Sequence, residues 1–308
     1  MPPTRAWLHA MPCAAVRSAE MPPPPLAGPV NTMSMSASGA DRAPRNAPPS
    51  PARAPKYPRL DRKGQKALLS RIIKRAAHDP ANATSASGKV APVVVFDLDG
   101  TLFDNRPRSH AILQELAAEW ESRHPEHASR LARLRAEEMA YLLSDSLARV
   151  GLTDAERVAE ATAFWKERFF ADDHLRHDVP VAGGPEFAKA CYDAGAVLVY
   201  LTGRDLPLMG IGSFRSLRDH GFPIGVPGTE LVLKPDAAMP DEEFKRVEMP
   251  KLARVGTIIA AFDNEPVNCN TVLAQNPGCD SVLIDTQHLP GAPPLDAGVH
   301  VIADFRLA

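Results

Sequence analysis

Asp97 and Asp99 stand two positions apart, directly after the apolar run Val93-Val94-Val95-Phe96 and directly before Gly100 and Thr101. Carboxylates are hard oxygen donors and candidate nucleophiles, and two of them where the chain reverses suit a Mg²⁺ ion shared with a phosphate. An apolar run too short for a helix reads as a buried parallel strand, and open α/β sheets collect their ligands at the carboxyl ends of such strands. Gly100 frees the chain to turn away at that point. Two further runs end in the same manner. Val197-Leu198-Val199-Tyr200-Leu201 leads into Thr202-Gly203-Arg204, and Ile258-Ile259-Ala260-Ala261-Phe262 leads into Asp263-Asn264-Glu265.

In this order the three segments resemble the signature motifs of the haloacid dehalogenase superfamily, its phosphatase branch in particular, across residues 90–305. The resemblance implies an α/β fold, a Rossmannoid three-layer core with a central parallel sheet, plus a helical cap domain. It also implies a Mg²⁺-dependent phosphatase that hydrolyses a small phosphomonoester, a phosphorylated metabolite, through an aspartyl-phosphate. By the same resemblance Asp97 is the nucleophile, and Asp99 protonates the leaving alkoxide and then activates water. Thr202 and Gly203 hold the phosphoryl group through a hydroxyl and backbone amides. Mg²⁺ would be bound by Asp97, the main-chain carbonyl of Asp99, and Asp263. Asn264, Glu265 or Asn268 would assist, because Asp263-Asn264-Glu265 departs from the commoner Gly-Asp or Asp-Asp forms.

Several roles stay open at this level. As an acid near neutral pH, Asp99 needs a raised proton affinity, which a neighbouring carboxylate and burial beneath a cap would supply. Arg204 could grip a phosphate or form a salt bridge within the core. Relatives with Thr-Gly-Arg often carry their phosphate-binding lysine in a Phe-Lys pair, which favours Lys245 in Phe244-Lys245. Lys234, at the tip of the short strand Glu230–Leu233, keeps a claim by strand-end position, and whichever lysine is not used would be solvated. Phosphonatase, dehalogenase and sugar phosphomutase chemistries share such a core, although dehalogenases generally lack the second aspartate. A catalytically silent binding or scaffold protein is the reading from a different class.

The elements that must position these residues follow from periodicity. Residues 89–105 and 177–308 read as the core, and the roughly ninety residues between the first two strands exceed the dozen or so that a crossover needs. The excess is helical in pattern and predicts a cap over residues 106–176. Ile112, Leu113, Leu116 and Trp120 share one face, Leu131, Leu134 and Tyr141 to Leu143 follow in looser register, and Val158, Ala161, Trp165 and Phe169 share another. Trp120 and Trp165 read as cap core. Thr153-Asp154-Ala155-Glu156 predicts a capping box, and a core helix is expected over Phe214 to His220.

Ahead of the core, residues 66–88 read as a short docking helix and a linker, with Leu68, Leu69, Ile72 and Ile73 on one face. Residues 1–65 read as a disordered basic tail, since fourteen of the 31 prolines fall within the first 58 residues and little there is apolar enough to bury. A net charge of −2 excludes a global electrostatic case for nucleic acid, and no apolar run approaches the length of a membrane span. Four scattered cysteines without a Cys-x-x-Cys, and no secretory signal, point to the cytoplasm.

Overall fold

A computed structural model of the 308-residue chain describes residues 57–77 and 90–307. The tail expected over residues 1–65 lies outside the described residues as far as residue 56, as does most of the linker.

The centre is a six-stranded parallel sheet of β1 (Pro92–Phe96), β4 (Val197–Asp205), β5 (Thr229–Lys234), β6 (Thr257–Asp263), β7 (Asp280–Ile284) and β8 (His300–Ile302), in the order β5-β4-β1-β6-β7-β8. Every residue of β1 is buried, as a central strand covered on both faces requires. Alternate residues face opposite layers. Val94 and Phe96 join Leu198, Tyr200 and Phe262 against α1 (Arg62–Ala76) and α6 (Gly184–Asp193), whereas Val93 and Val95 join Val199, Leu201 and Ala261 against α8 (Asp241–Glu248) and α9 (Pro266–Gln275). Phe96 and Phe262 stack with centroids 5.1 Å apart, and Phe187 and Phe305 close around them. The chain is therefore an α/β protein with a parallel sheet between helical layers.

Helix α1 begins at Arg62, inside the stretch expected to be tail. Asp61 caps it by accepting from the Gly64 amide at 2.7 Å, and Leu68, Leu69 and Ile72 enter the core. Arg71 and Arg75 fork onto Asp280 at the start of β7, at 2.6 and 2.5 Å. Upstream, the Leu60 amide bonds to the Val301 carbonyl and Tyr57 is buried, so residues 57–61 are tied to the edge strand.

The insertion after β1 is closed by a two-stranded antiparallel ribbon of β2 (Phe103–Asp104) and β3 (Val179–Pro180). Between them lie α2 (Arg106–Trp120), α3 (Pro125–Leu131), α4 (Leu143–Arg149) and α5 (Ala155–Phe169), packed around an apolar cluster of their own that includes Leu113, Leu116, Trp120, Leu131, Leu147 and Ala161. The N-cap of α5 is Asp154, one residue beyond Thr153, and it accepts from the Arg157 amide at 2.9 Å.

Helix α7 (Leu206–Asp219) starts eight residues earlier than its apolar pattern suggests. Asp205 caps it by accepting from the Leu208 amide, and Pro207 sits in its first turn, where a missing N–H costs nothing.

Candidate active site

Three adjacent strands bring their carboxyl ends together, because β4, β1 and β6 are neighbours in the sheet. Asp97 follows β1, Thr202 lies near the end of β4, and Asp263 ends β6. The chain reverses direction in the sheet order at β1, which opens a crevice above these tips. A cavity of about 420 Å³ fills that crevice, and Asp97, Asp99, Thr202, Gly203, Arg204, Lys245, Asn264, Glu265 and Asn268 all line it.

Asp97 is 5 % exposed. One carboxylate oxygen accepts from the Lys245 ammonium at 2.7 Å and the other from the Thr101 hydroxyl at 3.0 Å. The same ammonium lies 2.8 Å from Asp263, whose oxygens also accept from Asn268 Nδ2 at 3.1 Å and from the Glu265 amide at 2.8 Å. Burial pushes the Asp97 carboxyl up to about 7, with Asp263 adding to the rise and Lys245 working against it. Burial opposes the charge on Lys245, but Asp263 and Asp97 outweigh it and hold the ammonium well above its ordinary range.

The two candidate lysines separate cleanly. Lys245 touches both strand-end carboxylates, whereas Lys234 bonds to Asp241 at 2.6 Å and to the Met239 carbonyl at 3.0 Å. Lys234 is not solvated as expected, being 7 % exposed. Its partner Asp241 leans over Gly203, occupying the space that a Cβ there would need. The register of β4 against β5 breaks between Leu201 and Asp205, so Thr202-Gly203-Arg204 leaves the regular ladder and is re-aimed toward the cavity.

Asp99 differs most from expectation. Its carboxylate accepts from Arg204 at 2.8 and 2.9 Å and from Arg108 of the cap helix α2. Both guanidiniums also bind Asp178, Arg108 at 2.8 and 3.0 Å and Arg204 at 2.7 Å. Two cations and two anions thus form a closed quartet that joins the cap, the residue before β3 and the core. Burial works to raise the Asp99 carboxyl, but Arg108 and Arg204 outweigh it and hold it well below the usual carboxylate range. Asp178 goes the other way, because burial prevails over the two guanidiniums. The expected rise in the proton affinity of Asp99 is therefore reversed, and Arg204 serves as a salt-bridge partner within the fold.

Gly100 takes φ +77°, and the amide of Asn264 occupies the space where a side chain would project, so this turn accepts little but glycine. Asn264 donates to the Gln287 carbonyl at 2.6 Å. Burial raises the Glu265 carboxyl, with the Leu289 amide it accepts from and nearby Tyr141 of the cap working against the rise. Gln287 reaches the cap as well, donating to the Met139 carbonyl at 2.6 Å.

Sequence reasoning missed Thr101, Arg108, Asp178, Tyr141 and Gln287. Thr101 had a signal, since a hydroxyl four residues after Asp97 in a tight turn can fold back on it. Trp165, expected in the cap core, packs partly buried against the cap cluster and also lines the cavity, together with Phe169 and Phe170, while Trp120 is fully buried in that cluster. Among the described residues no group of three or more His, Cys, Asp or Glu side chains has the arrangement of a metal site. A cation here would draw on two carboxylates together with main-chain or water oxygens, which is how Mg²⁺ is usually held.

No family model matches the chain, and no curated protein sequence matches it. Among solved structures it is similar to a Clostridium difficile protein described as a phosphatase, at 16 % identity over 69 % of this chain and 94 % of that one, with a TM-score of 0.47. It is also similar to a haloacid dehalogenase-like family hydrolase from Streptococcus pneumoniae, at 13 % identity over 63 % and 86 %, with a TM-score of 0.40. Protein Tyrosine Kinase A of Mycobacterium tuberculosis is similar at 16 % identity over 68 % and 93 %, with a TM-score of 0.44. At these identities and TM-scores the likenesses do not bear on the reaction. The fold class rests on the sheet itself.

Proposed function

We propose that the protein is a Mg²⁺-dependent hydrolase of the haloacid dehalogenase type that cleaves a small phosphomonoester through Asp97. The observation that carries this reading is the buried pair Asp97 and Asp263 sharing one Lys245 ammonium, with Asp97 and Lys245 lining the cavity. An Asp97 oxygen attacks phosphorus, the P–O bond to the alcohol breaks, and the acyl phosphate left on Asp97 is hydrolysed by water to phosphate. Lys245 steadies the ionised nucleophile and faces the incoming anion. Thr101 fixes the second Asp97 oxygen, so that the attacking lone pair is aimed. Thr202 and Gly203 border the space for the phosphoryl oxygens.

Two buried carboxylates with one ammonium between them retain a negative charge, and hard oxygens of this kind fit Mg²⁺. Asp97, Asp263 and the Asp99 carbonyl would hold the ion, and when bound it neutralises phosphate charge. Proton delivery to the leaving oxygen is tied to the cap in this reading. Arg108 rides on α2, and its withdrawal removes one of the two charges that keep Asp99 ionised. The buried free thiols of Cys191, Cys269 and Cys279 are consistent with a cytoplasmic setting. Among the described residues no helix is long and apolar enough to cross a membrane.

The arginine grip on Asp99 favours a second reading, a phosphate-binding protein without turnover. Phosphate release from an aryl phosphate with Mg²⁺ separates the two. Asp97→Asn should cost at least ~10³-fold in rate, about 4 kcal/mol of barrier. Equal rates in variant and wild type would remove the assigned nucleophile.

A further inference from the structure

The cavity has a polar floor and an aromatic roof. Trp165 and Phe169 stack with ring centroids 4.4 Å apart, and Phe170 stands edge-on to them at 6.1 and 5.1 Å. Phe170 keeps 39 % of its surface exposed, Tyr141 42 % and Leu289 51 %, and all three line the cavity that Asp97 lines. Apolar surface left open inside a concave, partly enclosed site marks a ligand face, because cores bury such surface against themselves. A phosphoryl group displaces about three waters, ~100 Å³. Most of the 420 Å³ is therefore left for the group that carries the phosphate.

The chemistry of the roof narrows that group. Aromatic pairs gain energy beyond area burial when rings meet edge to face or offset, and this cluster of three offers both geometries to a fourth ring. The Arg108 guanidinium already lies 4.2 Å from the Phe169 centroid, which leaves the other faces and edges of the cluster to a ligand ring.

We infer that the substrate is the phosphomonoester of an alcohol bearing an aromatic ring, with the ring seated against Trp165, Phe169 and Phe170. This rests on the phosphomonoester reading of the site, and the test keeps the two apart. Binding of 2-phenylethyl phosphate and ethyl phosphate to the full chain carrying Asp97→Asn, with Mg²⁺, is measured by calorimetry. Hydrolysis of both by the wild type is followed in parallel. The two alcohols are similar leaving groups, so the ratio reports the ring. The ring should tighten binding and raise kcat/KM at least ~10-fold. Phe170→Ala, and Phe170→Leu with its apolar volume kept, should shrink that ratio toward unity. Equal or undetectable binding of both esters overturns the inference, as does a ratio untouched by both Phe170 variants. Ring-dependent binding without any phosphate release would instead sink the hydrolase reading and leave the aromatic site standing.

Discussion

The quartet of Arg108, Arg204, Asp99 and Asp178 offers a quantitative test of how the cap is fastened to the core. The side chains of Arg108 and Asp178 are wholly buried and that of Arg204 nearly so, with Asp99 partly open to the cavity. Its formal charges cancel. Arg108→Met leaves one guanidinium facing two carboxylates, and Asp178→Asn leaves two guanidiniums facing one. Each single change strands a buried charge and should destabilise by about 3–5 kcal/mol. The double variant keeps the neutral pair Arg204 and Asp99, so its loss should fall short of the summed singles by about 2–3 kcal/mol. Urea unfolding of the four proteins, with stability taken as midpoint times slope, reads this coupling directly. Single losses that add to the double within ~0.5 kcal/mol would show that the four groups do not act as a closed charge set.

Lys245→Ala should lower phosphate release at least ~10²-fold, because Asp97 and Asp263 lose their shared cation, while Lys234→Ala should cost less than ~10-fold; the reverse order in initial rates would reassign the phosphate-side lysine. Chelation of divalent cations should abolish turnover and added Mg²⁺ restore it, and Mg²⁺ at a hundred times its Kd should stabilise the fold by about 2.7 kcal/mol, an effect that Asp263→Asn removes from the melting curve. Acid should loosen α1. Burial opposes ionised Asp280, but His300, Arg71 and Arg75 prevail and hold its carboxyl at about 2. A carboxyl depressed in the folded state stabilises above its ordinary value and loses that contribution as pH falls toward its folded value. The Tm gap between wild type and Asp280→Asn should therefore be full at neutral pH and close between about pH 4 and pH 2. A gap that stays constant down to pH 2 would refute the ion-pair account.

The three polar-tipped strands were legible in the chain because burial on both faces of a parallel sheet demands unbroken apolar runs, and the first polar residue after each run marks its end. Asp97, Thr202 and Asp263 could be read that way, and so could the helical character of the insertion from Ile112, Leu116 and Trp120. Capping obeyed local rules too, although Asp205 and Pro207 outweighed the apolar pattern in setting where α7 begins.

Tertiary structure alone decided which charges meet. Arg108 and Asp178 are seventy positions apart and become partners only because β2 and β3 zip the two ends of the insertion together. Lys245 and Lys234 look alike in the chain, but Lys245 on α8 reaches Asp97 on a distant strand end, whereas Lys234 at the end of β5 stays with Asp241 seven residues on. The ionisation of Asp99 was beyond the sequence for the same reason: burial by itself raises a carboxyl, and only the arrival of two guanidiniums from distant segments reverses the sign.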